Sequence, residues 1–373
     1  MKRLTPWLAA VGWTLISCHT TAPLENSGVL DRIVVAPDGR GFVHATSRKP
    51  FHPWGLNHGN GGRLMEDFWD QDWATFAADF REMKSMGANV VRVHLQFGKF
   101  MAGPEQPDVR AFRQLERLLH LAEDVGIYLD VTGLACYRPR DVPAWFDALN
   151  QSDRWKAQES FWAAVAKTCA SSRAVFCYDL INEPISAGPR REAGKWYSGA
   201  LLGGYDFIQY IALEPSAGTR EETARIWIQH MTAAIRRQDR RTLITVGLLP
   251  WSRQWKHLSG FVPEKISGAL DFVSVHIYPD RKLPEEAMEA LRQCAVGKPV
   301  VIEETFPLSC DVPQLEEFLR ASRSMACGWV GHFDGLTPQQ MDVMEKKGQL
   351  TPGQKLYREW LRLFIRLRPE FAP

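Results

Sequence analysis

Apolar residues in this chain fall into two kinds of segment that follow each other in turn. Short continuous apolar runs, bounded by Gly, Pro or polar residues, predict buried β-strands. Between them lie longer stretches whose apolar residues recur every three or four positions, as on one face of a helix. Eight runs predict strands, over residues 51–57, 89–97, 127–134, 174–183, 242–248, 272–278, 299–304 and 327–333.

The helical spacing is clearest in the first two stretches between strands. Each has one apolar face and ends at a glycine directly before the next strand, where a helix commonly stops. The first face consists of Trp73, Phe76, Ala77, Phe80 and Met83, before Gly87, and the second consists of Leu115, Leu118, Leu119 and Ala122, before Gly126.

Eight strand-then-helix units predict an α/β fold in which parallel strands close into a (β/α)8 TIM barrel. An N-terminal β-hairpin over residues 33–43, with its turn at Asp38-Gly39, should precede the barrel. A long loop of irregular structure should follow the fourth strand, over residues 185–217. Its aromatic residues would either stack on a ligand or form the loop's own small core: Trp196, Tyr197, Tyr205, Phe207 and Tyr210. We predict one domain over residues 31–373.

The N-terminal segment looks like an export signal. A basic start at residues 1–3 precedes an apolar stretch over residues 4–16, which is too short to span a bilayer as a helix. Residues 15–17 (Leu-Ile-Ser) before Cys18 resemble the lipobox of bacterial lipoproteins, in which the Cys is lipidated. We expect an exported lipoprotein with a signal peptide over residues 1–18 and a tether over residues 19–30, anchored in the periplasm or at the cell surface. Ordinary signal cleavage is the alternative.

Composition, charge and cysteine spacing bear on the partners and cofactors to be expected. The chain has 373 residues and a formal net charge of +2, without a run of like charges, so a nucleic-acid partner is not indicated. The six cysteines beyond Cys18 suit either disulfides in an exported protein or small buried side chains. Closely spaced Cys or His pairs are missing from the sequence, so we expect neither a metal nor another cofactor. A monomer that meets the membrane only through Cys18 is expected.

Two carboxylates stand at the ends of predicted strands. Glu183 lies in Asn182-Glu183-Pro184, directly after the fourth run, and Glu304 ends the seventh. The carboxyl ends of barrel strands carry catalytic groups. Glycoside hydrolysis needs two such carboxyl groups, one to protonate the leaving oxygen and one to attack or to stabilise the oxocarbenium-like centre. These residues therefore predict an enzyme that cleaves a carbohydrate.

Four motifs together resemble glycoside hydrolase family 5, the cellulase family, over roughly residues 31–366; a neighbouring clan A barrel family is the alternative. The motifs are Asn182-Glu183-Pro184, His276-Ile-Tyr278, the strand ending in Glu303-Glu304, and Arg92 in Val-Val-Arg-Val. The resemblance implies a retaining glycosidase for a β-glucan or β-mannan, with Glu183 as acid/base and Glu304 as nucleophile.

The resemblance also implies the supporting residues. Arg92 would keep the nucleophile ionised, Tyr278 would donate a hydrogen bond to it, and Asn182 would bind the sugar 2-hydroxyl. His276 and His94 would lie near the substrate. Strand alternation favours Glu304, because Val300, Ile302 and Glu304 share one face. The rival nucleophile, Glu303, would then face the helix layer or a neighbouring strand end as a paired structural carboxylate.

Two departures from the family pattern bear on the substrate. Thr132 stands where many relatives carry His, and the eighth strand lacks their usual Trp at its end. Trp329 and His332 are present in that strand, in a register that the sequence leaves open. These departures motivate the alternative function, a carbohydrate-binding surface lipoprotein that kept the barrel without turnover.

Overall fold

The computed structural model describes residues 30–253 and 256–373, and it contains a closed barrel of eight parallel strands. The strands are β1 (Trp54–Asn57), β2 (Val90–Gln96), β3 (Tyr128–Ala135), β4 (Val175–Asn182), β5 (Leu243–Leu248), β6 (Val273–His276), β7 (Val300–Glu304) and β8 (Gly328–His332). Each pairs with its neighbours in chain order, and β8 pairs with β1. The predicted (β/α)8 barrel is confirmed; seven strands lie within the predicted runs, and β3 ends one residue beyond its run, at Ala135.

Helices follow the strands and surround the barrel. They are α1 (Trp73–Ser85), α2 (Val109–Val125), α3 (Gln151–Cys169), α4 (Arg220–Arg236), α5 (Pro263–Ile266), α6 (Pro284–Gln293), α7 (Val312–Ser322), α8 (Pro338–Lys346) and α9 (Pro352–Phe371). Helix α2 shows why the sequence signals work: Asp108 caps its first turn, and Gly126 ends it with a left-handed φ of 70°. Only the fifth unit deviates, because α5 is a single turn.

The N-terminal hairpin closes the lower end of the barrel. Ile33–Val35 pairs with Phe42–His44, as predicted, and Pro50–Phe51 adds a third short strand. The Phe42 ring meets Phe176 and Phe272 edge-on at centroid distances of 5.1 and 5.2 Å. These rings belong to an apolar cluster inside the barrel floor. The hairpin therefore fills the end where the strands begin and leaves the other end as the mouth.

The long loop after β4 is more ordered than predicted. Pro184–Ser186 pairs with Gln209–Ala212, and Leu201–Leu202 pairs with Tyr205–Asp206 in a small hairpin. Trp196 is fully buried beneath the loop and donates from Nε1 to the Asp147 carbonyl at 3.1 Å. The loop thus has its own small core, and Tyr205 and Phe207 are the two of its predicted aromatic residues that reach the barrel mouth.

Cysteine pairing and membrane spanning can be assessed for the described residues. All six described cysteines are free thiols, four of them buried. They serve as small apolar side chains in the structure. The described helices all fall short of the length and apolarity needed to cross a bilayer. The predicted signal peptide, with Cys18, and nearly all of the tether lie outside the described residues.

The close approach of β8 to helix α9 gives a test of the barrel packing. A Cβ at Gly331 would lie 1.9 Å from Cζ2 of Trp360, whereas a Cβ at Gly353, within α9, would meet no atom within 4 Å. We expect Gly331→Ala to destabilise the protein by about 1–3 kcal/mol or more through overpacking. Gly353→Ala should be neutral or stabilising. Denaturant unfolding measures both; equal stability of the two variants would contradict the packing described.

Candidate active site

A cleft of ≈ 700 Å³ opens at the mouth of the barrel, where the strands end. Six of the seven residues predicted for the site lie on its surface. They are His94, Asn182, Glu183, His276, Tyr278 and Glu304. The seventh, Arg92, is fully buried directly beneath. The barrel therefore brings all the predicted site residues together, as expected for strand ends that share one mouth.

Glu183 is held in an unusual backbone conformation. Its φ of 47° is left-handed, which is rare for a residue other than glycine. Its N–H donates to the Gly247 carbonyl of β5 at 2.8 Å, and Pro184 then leads the chain out of the barrel. Strain of this kind persists where the surrounding structure compensates for it, commonly at functional sites. It directs the Glu183 side chain into the cleft.

Arg92 is the centre of a buried hydrogen-bond network. Nη1 donates to Glu304 Oε1 at 2.5 Å and to Asn57 Oδ1 at 3.0 Å. Nη2 donates to Asp179 Oδ2 at 2.7 Å and to Asn182 Oδ1 at 3.1 Å. One guanidinium group thus fixes the positions of side chains from β1, β4 and β7, as its planar fork of donors permits.

Glu304 is surrounded by groups that favour its ionised form. Tyr278 donates its hydroxyl to Oε2 at 2.6 Å, opposite the Arg92 contact on Oε1. Burial alone would raise the pKa of Glu304. The charges of His276 and Arg92 and the hydrogen bond from Tyr278 outweigh burial and hold that pKa well below its usual range. Glu304 is therefore a carboxylate at neutral pH.

His276 connects the two predicted catalytic carboxyl groups. Its Nδ1 lies 3.0 Å from Glu183 Oε1 and 3.5 Å from Glu304 Oε2. The ring is fully buried, and burial lowers its pKa. The charge of Glu304 and the hydrogen bonds to Glu183 and Glu303 outweigh burial and raise the pKa of His276 to about 10. The free enzyme therefore carries an imidazolium between these carboxyl groups at neutral pH.

Glu303 lies inside the barrel, below Glu304. Val301 belongs to the cluster of the barrel interior, while Ile302 packs with the outer core, so alternation turns Glu303 inward. Its Oε1 accepts from the Ser274 hydroxyl of β6 at 3.0 Å. The prediction that Glu303 faces the helix layer is wrong. The alternative prediction, a paired carboxylate beside a neighbouring strand, agrees with the structure. Glu304 reaches the mouth because the chain leaves the strand there.

Asp130, from β3, is the partner of Glu303 on the opposite side. Burial and the charge of Glu303 raise the pKa of Asp130 well above its ordinary value. Asp130 therefore holds a proton more readily than an ordinary Asp. The pKa of Glu303 is lowered, since Arg92 and His276 outweigh its burial. The shifts in opposite directions favour a shared proton on Asp130 rather than on Glu303 beneath the mouth.

The remaining predicted residues have defined contacts. His94 Nδ1 lies 2.6 Å from the Tyr137 hydroxyl, and burial and the charge of Arg92 hold its pKa well below the ordinary value, so the ring is neutral. Asn182 Nδ2 donates to the Phe207 carbonyl at 3.1 Å. An amide nitrogen carries two donors, so the second N–H of Asn182 remains available to a sugar hydroxyl.

The register of β8 is now defined. Trp329 packs against Trp54 in the outer core and donates to Ser322 Oγ at 2.8 Å. His332 lies in the cleft instead, with Nε2 2.9 Å from the Tyr278 hydroxyl. On β3, Thr132 donates to Asp179 at 2.7 Å within the network. At the two positions that depart from the family pattern, His332 thus lies at the mouth and Thr132 lies beneath it.

Besides Asp130, three members of the network are absent from the predicted site residues: Asp179, Asn57 and Gly247. Asp179 is fully buried between Arg92 and the Gly247 N–H, to which its Oδ1 lies 2.7 Å away. An Asp within an apolar strand needs a buried partner, and this signal could have identified it. Asn57 accepts from Arg92, and a Cβ at Gly247 would lie within 3.0 Å of atoms of Arg92, His276 and Glu303. Gly247 therefore provides the space in which these charged groups meet.

Among the described residues, two groups of side chains have donor atoms close enough to hold a metal ion. They are Glu183 with His276 and Glu304, and Asp130 with Cys177 and Glu303, the atoms of each group lying within 4.8 Å of one another. In the first group, Arg92 and a protonated His276 already supply positive charge. In the second, the raised pKa of Asp130 favours its protonated form. This donor chemistry favours proton transfer over cation binding.

One protein family matches the chain in sequence. The profile described as cellulase (glycosyl hydrolase family 5) matches residues 48–330. The chain therefore belongs to glycosyl hydrolase family 5 and to the glycosidase class of enzymes. No curated protein matches it in sequence.

Solved structures share the fold at low sequence identity. The exo-β-1,4-mannosidase Op5Man5 from Opitutaceae bacterium strain TAV5 aligns with a TM-score of 0.62 at 18% identity, over 90% of this chain and 63% of that one. An endo-1,4-β-mannanase from Rhizomucor miehei aligns with a TM-score of 0.56 at 17% identity, over 81% of this chain and 90% of that one. A GH5_18 protein from Bifidobacterium longum subsp. infantis aligns with a TM-score of 0.62 at 15% identity, over 86% of this chain and 79% of that one. This chain thus spans less than two thirds of the first of these proteins.

The charge on His276 should make stability depend on pH. Its pKa is raised to about 10 in the folded protein from an ordinary value of 6.5, so the folded state holds the proton more tightly. The resulting stabilisation is complete below about pH 6.5 and is lost as the pH rises through about 10. The difference in unfolding free energy between wild type and His276→Asn should therefore shrink over this range. Chemical denaturation at a series of pH values measures it; a constant difference would indicate a neutral imidazole.

Proposed function

We propose that this protein is a retaining β-glycosidase that hydrolyses β-mannosidic linkages. The observation that carries the proposal is the ionised Glu304, held by Arg92 and Tyr278, beside the Glu183 carboxyl. An oxygen of Glu304 lies within 4.8 Å of one of Glu183. Carboxyl groups about 5–5.5 Å apart serve retaining enzymes, whereas inverting enzymes need about 6.5–9.5 Å to admit a water.

In the first step, a Glu304 oxygen attacks the anomeric carbon. The bond from that carbon to the glycosidic oxygen breaks, and Glu183 gives its proton to the departing oxygen. His276 Nδ1, 3.0 Å from Glu183, orients this carboxyl. The Arg92 and Tyr278 contacts keep Glu304 ionised and hold both of its oxygens in place.

In the second step, water releases the sugar from Glu304. Glu183, now deprotonated, removes a proton from a water molecule, whose oxygen attacks the same anomeric carbon. The ester bond to Glu304 breaks and restores the carboxylate. Two displacements at one carbon keep the anomeric configuration. In this mechanism, the N–H of Asn182 that remains available binds the sugar 2-hydroxyl through both steps.

The choice of mannose as the sugar rests on similarity. Proteins that share this barrel are named as an exo-β-1,4-mannosidase and as endo-β-1,4-mannanases, including one from Aplysia kurodai with a TM-score of 0.58 at 14% identity. A β-glucan is the next candidate. His332 at the mouth, on β8, and Thr132 beneath it, on β3, depart from the common family pattern and bear on this choice.

The export of the protein is proposed separately. The segment before Leu30 lies outside the described residues, so the proposal rests on the sequence pattern around Cys18. We expect mass spectrometry of the mature protein to find a lipidated Cys18 as its first residue. An unmodified mature N-terminus at another position would contradict the lipoprotein anchor.

Covalent trapping tests the two-step mechanism. A 2-fluoro-β-mannosyl fluoride forms the glycosyl-enzyme quickly and releases it slowly, so the wild type should gain one sugar, which peptide mapping should place on Glu304. Glu304→Gln should gain none. Glu183→Gln should lose about 10²–10⁴-fold in kcat/KM on oligosaccharides, the usual contribution of a general acid/base. The exposed Glu264, on α5, provides the control variant Glu264→Gln, which should react as the wild type does.

The trapping result also decides between alternatives. A sugar found on Glu303 would overturn the assignment of the nucleophile. Release from β-glucan, xylan or other aryl β-glycosides, but from no β-mannoside, would keep the mechanism and change the substrate. Binding of a glycan with neither trapping nor hydrolysis would favour the carbohydrate-binding alternative. Activity lost on adding a chelator would contradict the expectation that no metal is needed.

A further inference from the structure

Three loops are joined along one side of the cleft. Gly62 and Asp67 belong to the loop after β1, Arg138 belongs to the loop after β3, and Tyr205 belongs to the loop after β4. We call these four residues the loop bridge. None of these four residues belongs to the charged network around Arg92. They therefore have no part in the proposed proton transfer or in the proposed nucleophilic attack.

Arg138 connects the β3 loop to the β1 loop. Nη1 donates to Asp67 Oδ1 at 2.9 Å, and Nη2 contacts Asp67 Oδ2, so the pair is bidentate. Asp67 is fixed within its own loop, because its Oδ2 accepts from the Leu64 N–H at 2.9 Å. Bidentate pairs of this kind combine a strong hydrogen bond with a defined geometry. Both side chains are largely buried, with 16% and 27% of their surfaces exposed, which limits screening by solvent.

Tyr205 connects the β4 loop to both of the others. Its hydroxyl donates to the Gly62 carbonyl and accepts from Arg138 Nη2 at 3.3 Å. Its ring lies 5.7 Å from the Phe207 ring, which meets Tyr137 edge-on at 4.8 Å. The hairpin that carries Tyr205 is therefore attached to the barrel at its base and to the β1 loop at its end.

Because β2 and β3 lie between β1 and β4 in the barrel, loops from β1 and β4 that are bonded to each other span the side of the mouth at these two strands. Gly62, Leu64, Leu202 and Tyr205 all line the cleft, so the bridge forms one of its walls. A polysaccharide that lies across the mouth must leave the cleft on two sides. Where one side is closed by bonded loops, only the end of a chain can reach Glu183 and Glu304.

We propose that the loop bridge makes this enzyme act on the ends of glycan chains, rather than on internal bonds. This inference rests on the proposed hydrolysis of β-mannosides and adds the mode of attack. Gly62, Asp67, Arg138 and Tyr205 are then residues that determine specificity.

The experiment compares wild type with Arg138→Ala/Tyr205→Ala, which removes the side chains of the bridge. The substrates are an aryl β-mannoside, β-1,4-mannohexaose labelled at its reducing end, and linear β-1,4-mannan. The wild type should shorten the hexaose stepwise from one end. The variant should release internal products. Its rate on mannan relative to the aryl mannoside should rise about tenfold, which corresponds to about 1.4 kcal/mol.

A control variant separates opening of the wall from a general change in the loop. Tyr210 lies on the same loop, packs beneath Arg191 at 3.7 Å and does not line the cleft. Tyr210→Ala should leave the product pattern of the wild type unchanged. Retained aryl-mannosidase activity in every variant shows that the catalytic centre is folded.

The outcomes distinguish this inference from the function on which it rests. A wild type that produces a ladder of internal fragments overturns end attack while the glycosidase mechanism stands. An opened variant that still shortens chains from one end overturns the role of the bridge. A wild type that hydrolyses none of the three substrates overturns the proposed substrate, and end attack on mannan with it.

Discussion

The mouth of this barrel depends on one buried cation. Arg92 is fully buried and makes ion pairs with Asp179, Glu303 and Glu304. Removing each charge from water costs several kcal/mol, which attraction repays only when the geometry is good and further hydrogen bonds are made. Arg92 meets this condition, with hydrogen bonds to four side chains from three strands. Its loss would leave several carboxylates buried together without compensation.

Burial and the charges around this cation together set the protonation of each group. The charges of His276 and Arg92 hold Glu304 ionised, burial and the charge of Glu303 raise the pKa of Asp130, and the charge of Glu304 keeps His276 protonated against the opposing charge of Arg92. Three acidic or basic groups within one network thus differ in their pKa shifts because each has a different set of charged neighbours. A nucleophile that stays ionised in a buried place is the result that catalysis needs. The network is therefore better explained by function than by stability.

The features that could be predicted from the sequence depend on interactions between residues close together in the chain. Strands, helices and the hairpin come from local periodicity and turn residues, so all eight strands were predicted. Glu183 and Glu304 were found because strand ends meet at one mouth. The prediction for Glu303 failed because it extended alternation through Glu304, whereas the pairing of β7 with β6 shifts register between Val275 and His276, beside Glu304. Asp179 and Gly247 were missed because their partners lie on other strands; an Asp in an apolar strand signals a buried partner, but no local pattern identifies that partner.

The loops follow a different rule from the strands. The Arg138 and Tyr205 contacts join residues 71 and 143 positions apart in the chain, and no periodic pattern predicts them. Barrel closure fixes the distance between Glu183 and Glu304 whatever the loops do, whereas the cleft above changes with each loop contact. Chemistry and substrate choice are therefore separable here. A change in the loop bridge can alter which bonds reach the carboxyl groups without moving the groups themselves, because the two sets of residues share no hydrogen bond in the described structure.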